Sequence, residues 1–297
     1  MPKDGIYYLA RLAKMGNLTT DMVIQALLKP KPIVMYGNAW SFTGTKEYET
    51  KGIKYVAGRL AKYRPDAEVV IIDPEKRTEM IQQEPNLRMA SSPFVYIPEH
   101  SGVAFLRVAG QIEEWHFTDR FARIIVETHL RFFVECELNL IADLKTFAAK
   151  LKSLAGIYRI SAVVLPPNPL FGPLWKPLRD YIKRRRSGQM VIREATKSAE
   201  PLNTDLPQIV EKVAAQQNGE VYEPKEELPI GDAAILMAAD GYGKGTITGM
   251  QEGRFVVIKT SETNRNFSFD KDPNPEELFV AANELFERIK KDRHMEH

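Results

Sequence analysis

A chain of 297 residues, 44% of them apolar and 27% charged, is long enough to bury a core without disulfide or metal staples. That balance excludes disorder, collagen-like repetition and a disulfide scaffold. With 41 Lys and Arg against 39 Asp and Glu the formal net charge is only +2, so attraction to nucleic acid must come from local clustering of cations.

The single cysteine, Cys136, makes neither an intramolecular disulfide nor a cysteine-based zinc site, and its place in the apolar run 132–140 predicts a buried, inert thiol. No basic, apolar, small-residue leader opens the sequence, and no stretch approaches about eighteen uncharged apolar residues. The expectation is a cytoplasmic protein with no membrane insertion.

In chain order, residues 5–10 read as a short strand, and residues 18–28 carry helical spacing behind a Thr19-Thr20-Asp21 start. Residues 33–36, 52–60 and 67–73 read as strands of a first sheet, with Asn38 and Gly44 as turn residues. The polar, Met- and Gln-rich stretch 75–92 reads as a helix and a connector. Residues 94–97 and 103–108 flank Pro98-Glu99-His100-Ser101-Gly102, the pattern of a β-hairpin. A helix opens at Thr118 and Asp119, a strand covers 132–141, Asp143 caps a helix reaching residue 154, and 158–165 is a strand stopped by Pro166-Pro167-Asn168-Pro169.

A helix over 174–186 and a strand over 190–194 follow. This order predicts an α+β fold: mixed sheets with ferredoxin-like or RNA-recognition-like βαβ elements, parallel neighbours joined by right-handed crossovers, and helices packed on one face. Beyond Ser198 come a polar linker, a helix over 206–215, a β-rich stretch over 233–259 and a closing helix over 275–291. Three regions result: an N-terminal α+β region 1–91, a central ferredoxin-like domain 92–197, and a C-terminal hairpin-and-helix region 198–297.

The densest charge lies on the helix 174–186. Lys176, Arg179, Lys183 and Arg186 recur at helical spacing and share a stripe, while Leu174, Leu178, Tyr181 and Ile182 face the other way. Arg184 and Arg185 extend the cluster, and Arg193 lies just past the turn. Such a stripe suits a phosphate backbone, which supplies charge without base identity. The plainer alternative is a solvated helix end, where cations also favour the macrodipole.

Asp240-Gly241-Tyr242-Gly243-Lys244-Gly245-Thr246 lacks the spacing of a phosphate loop, because Gly245 separates Lys244 from Thr246. It reads as a hairpin turn between two strands, with Lys244 placed to touch a ligand. Tyr55, Tyr63 and Trp40, near Lys51, Lys54, Arg59, Lys62 and Arg64, form either a second basic-aromatic patch or a core-facing strand side. No histidine has another His or Cys at zinc-ligand spacing, and neither Gly-x-Ser-x-Gly nor His-Glu-x-x-His occurs. No metal, cofactor or catalytic residue is assigned.

The segments Ser92-Pro93-Phe94-Val95-Tyr96-Ile97-Pro98, Gly102-Val103-Ala104-Phe105 and Phe117-Thr118-Asp119-Arg120-Phe121 resemble an uncharacterised family of bacterial and mobile-element phage-defence proteins. Its pattern continues here with Val164-Leu165-Pro166-Pro167-Asn168-Pro169 and with Gln217-Asn218-Gly219-Glu220-Val221. The opening Gly5-Ile6-Tyr7-Tyr8 is also similar to the DNA-binding component of a temperate-phage exclusion system. The resemblance extends over most of residues 1–270. It implies an intracellular phage-defence protein that binds nucleic acid, DNA before RNA, as a homodimer and with room for a second defence-system protein as partner. It carries over no catalytic residue.

Together these observations favour a protein that holds nucleic acid without sequence preference through phosphate contacts. The alternatives are a nuclease or nucleotide-processing toxin effector built around Arg179, His116, Asp240 and Lys244, and an adaptor that senses a phage or host protein through apolar surface.

Overall fold

Along the first strand, β1 (Asp4–Gly16), Tyr8, Ala10 and Leu12 point to one side and Tyr7 and Leu9 to the other, and all five are buried. The two-residue period is intact, but both faces of the sheet are covered. The structure, a computed structural model, describes residues 4–75, 77–166, 170, 172–215, 222, 224 and 226–295. Pro167-Asn168-Pro169 and Gln217–Val221 of the resemblance therefore lie outside the described residues.

The remaining strands are β2 (Ile33–Met35), β3 (Asn38–Thr50), β4 (Ile53–Asp73), β5 (Thr78–Ile97), β6 (Gly102–Leu106), β7 (Val134–Leu140), β8 (Gly156–Val164), β9 (Met190–Ala195), β10 (Gly243–Gln251), β11 (Arg254–Lys259) and β12 (Asn266–Asp270). The helices are α1 (Thr20–Leu28), α2 (Glu114–Thr128), α3 (Leu144–Lys152), α4 (Lys176–Arg185), α5 (Leu206–Ala215), α6 (Ile230–Ala239) and α7 (Pro275–Asp292). They form an α+β fold with two sheets. The large sheet runs β12-β1-β6-β5-β4-β3-β2, with β7 also on β1, and the small one runs β11-β10-β8-β9. Among the described residues no helix is long and apolar enough to cross a membrane.

Helix starts follow their caps. Thr19 accepts from the Met22 N–H, Asp143 from Thr146 and Asn274 from Glu276, each satisfying a first-turn donor. On the large sheet, Val23, Ala26 and Leu27 of α1 and Phe117, Phe121, Ile124 and Ile125 of α2 pack on one face. Leu278, Phe279, Ala282 and Phe286 of α7 pack on the other. On the small sheet, α3, α4, α5 and α6 bury Phe147, Leu151, Leu178, Ile182, Val210 and Ile235 against Ile160, Ala162, Val164, Ile192 and Ile247. Helices on one face, the expectation for the whole chain, describe the small sheet alone.

Adjacent parallel strands do not occur among the described pairs: every one is antiparallel. β6, α2 and β7 do form a βαβ unit, but a split one, because β1 lies between β6 and β7 and pairs antiparallel with both. Around α4 the chain goes out and back, delivering Met190 opposite Val164, so β9 runs against β8.

Three sequence-based assignments change. Residues 78–92 are strand rather than helix, because they pair along β4. Residues 38–50 form one strand rather than a turn region, and Gly44 (φ +62°) accommodates its bulge between Thr43 and Lys46. Residues 233–239 are helical: in α6 an Ala-rich run is buried all round, which an apolar pattern alone does not separate from a buried strand. Consequently Gly241 and Gly243 lie in a helix-to-strand junction instead of a hairpin turn.

Candidate nucleic-acid interface

Position along the small sheet's strands decides which side chains reach water. Ile160, Ala162, Val164, Ile192, Ile247 and Ile258 point inward and are buried, so their alternates point to the uncovered face. The register lays these alternates out in rows. One row is Arg193–Ser161–Thr246–Lys259, the next is Ala195–Arg159–Thr248–Val257, and the third is Val191–Val163–Lys244. Arg159, Arg193, Lys244 and Lys259 are exposed, and so are Val191 (65%) and Phe255 (62%). Tyr158 meets Phe255 edge-to-face, ring centroids 5.3 Å apart, where the chain bulges between Thr248 and Gly249.

No position in these three rows carries a carboxylate. With neighbouring strands about 4.8 Å apart, cations stand roughly 8 to 15 Å from one another among small polar and apolar groups. One acid reaches the face from outside: Glu137 of β7 pairs with Lys244 at 3.1 Å. Lys244 and Lys259 also line a cleft of about 1410 Å³, together with Tyr36, Trp115 and Arg123 and with the carboxylates Glu113, Glu114, Asp119, Glu127 and Glu137.

Of the residues singled out in the sequence, Arg193 and Lys244 therefore share one surface, two strands apart. Lys176, Lys183, Arg184, Arg185 and Arg186 are exposed on α4 and its C-cap, and the chain passes directly from them into β9. Arg186 caps the helix in the left-handed region (φ +53°). Arg179 departs from the stripe. It is buried with Leu178 and Ile182, and its Nη2 lies 2.5 Å from the neighbouring Asp180 carboxylate. Tyr181, expected toward the core, is exposed instead.

Arg159, Lys259, Phe255 and Val257 escaped sequence reading, because each is an ordinary alternate residue until the strands are in register. The Trp40 and Tyr55 patch resolves as core: both are buried, and Tyr55 stacks on Phe279 with centroids 4.0 Å apart. Cys136 is buried as expected, with burial and the nearby Glu137 pushing its thiol up to about 12, although Phe132 lies outside β7 and is exposed.

The four groups of the effector alternative are occupied separately. Asp240 is buried, paired with Arg293 and bonded by the Trp175 indole N–H at 2.7 Å, while Arg11 reaches the Tyr242 hydroxyl at 3.2 Å. These bonds tie the α6–β10 junction to the end of α7 and to β1. His116 closes the capping box of α2 and lies against Trp115, with burial and the Arg120 charge lowering its pKa. Among the described residues no three His, Cys, Asp or Glu side chains gather to hold a metal ion. No protein-family model matches the chain, and no curated protein matches it significantly.

Proposed function

We propose that the protein holds nucleic acid without sequence preference on the open face of the small sheet. Arg159, Arg193, Lys244 and Lys259 take phosphates there, and Arg184, Arg185 and Arg186, where α4 leads into the edge strand β9, extend the track around that edge. The observation that carries this reading is a four-stranded antiparallel face, bare of carboxylates in its rows, with cations interleaved with Phe255, Tyr158 and valines. Helices behind such a sheet and aromatics in front of it suit unpaired bases, which stack without regard to identity while phosphates supply the affinity.

We place this activity inside the cell, in phage defence, with DNA as ligand, following the resemblance; the aromatics of the face favour its single-stranded form. The test is a low-salt anisotropy titration of labelled oligo-dT. Reversing Arg159, Arg193 and Lys259 to Glu lowers affinity by on the order of 100-fold while leaving the thermal melt in place. Unchanged affinity in the folded variant would overturn the proposal.

A further inference from the structure

Between Arg64 and Leu87 the strands β4 and β5 leave their sheet. β3 pairs with β4 only as far as Tyr63, and β5 pairs with β6 only from Phe94 onward, so the intervening segment is a two-stranded ribbon roughly 30 Å long. Its end is apolar on both sides. Val70 lies opposite Ile81 on one face and Ile71 opposite Met80 on the other, and Ile72 and Ile81 are 74% and 71% exposed.

A lone ribbon of this kind is marginal in water, and an apolar cluster of this size on a surface marks a contact. Its charge selects the occupant. Residues 65–87 carry six carboxylates, Asp66, Glu68, Asp73, Glu75, Glu79 and Glu84, against Lys76 and Arg77 alone. Two such ribbons repel one another. The open face of the small sheet is their complement, with exposed Val191, Val257 and Phe255 among four cations and no carboxylate in its rows.

We infer that the tip of this arm docks on the small-sheet face of a second copy of this chain. Both surfaces are antiparallel β-structure, so they pack as sheet on sheet, about 10 Å apart, with Ile81 and Val70 against Val257 and Phe255 on β11 and the acids against Arg193 and Lys259. Each copy offers one arm and one face. A two-fold pair therefore closes with two identical contacts and leaves no arm free. The arm and nucleic acid occupy the same face and exclude one another, but the contact itself does not depend on nucleic acid.

The test is the mass of the full chain by sedimentation velocity, with no nucleic acid present. Wild type sediments as a pair of chains. Val70→Lys with Ile81→Lys, and separately Arg193→Glu with Lys259→Glu, each raise the dissociation constant by on the order of 100-fold with the thermal melt unchanged. Mixing the two variants restores a pair through the one intact arm and the one intact face, a result a merely misfolded variant would not give. A monomeric wild type near 100 µM, a pair that survives both variants, or dissociation only on Phe133→Asp in the separate exposed patch of Leu130 and Phe133 would overturn the inference. Because mass is read without nucleic acid, failure here and failure of the nucleic-acid reading remain distinguishable.

Discussion

Asp232 sits in the first turn of α6, buried, with one carboxylate oxygen accepting the Thr204 hydroxyl at 2.7 Å and the other without a hydrogen-bond partner among the described residues. Burial, reinforced by Glu194 and Asp205 and opposed by the Thr204 bond, raises its pKa to about 6. The folded value lies above the unfolded one near 3.9, so the native state keeps a proton that the unfolded chain releases. This group's contribution is present below about pH 4, is lost as pH rises to about 6, and is constant above. Asp232→Asn should therefore flatten the wild-type fall in urea-unfolding free energy across that window, a step of about 3 kcal/mol. Parallel pH profiles for the two proteins would contradict the assignment. Such a residue is invisible in sequence, where Asp232 reads as one acid ahead of a β-rich stretch, whereas Cys136 was legible because its alternating neighbours name the buried face.

At the scale of elements, what the sequence shows depends on local signals. α1 and α3 announce themselves by Thr19 and Asp143 at their caps, and the β5–β6 hairpin by its Pro98 to Gly102 loop. β5 was hidden because its outer half stands in the arm, where no core imposes alternation, and α6 because burial on every side erases helical periodicity. α4 was legible as a helix, but its stripe was not uniform, since Arg179 turns inward. Its exposed end flanks the sheet face instead of forming the site alone. Reversing Lys183, Arg184 and Arg186 to Glu is thus expected to weaken oligo-dT binding about tenfold without abolishing it, each change altering stability by less than about 0.5 kcal/mol. Complete loss of binding by anisotropy would move the site from sheet to helix.

The whole molecule joins residues far apart in sequence. β1 pairs with β12 across more than two hundred and fifty residues, and the small sheet takes two strands from residues 156–195 and two from residues 243–259. No window of sequence contains the open face, so Arg193 and Lys244 were found separately and Arg159 and Lys259 not at all. A near-neutral protein thereby gathers four cations on one face, with Glu137 the acid that meets Lys244 there, and in the proposed function its affinity for nucleic acid comes from phosphates neutralised on that face. The most direct measurement is the salt dependence of oligo-dT affinity. With five to seven of the sheet and α4 cations engaged, at about −0.7 per phosphate on a single strand, log K falls against log salt with a slope of roughly −4, with little change among sequences. A flat salt response, or strong preference for one sequence, would contradict the account.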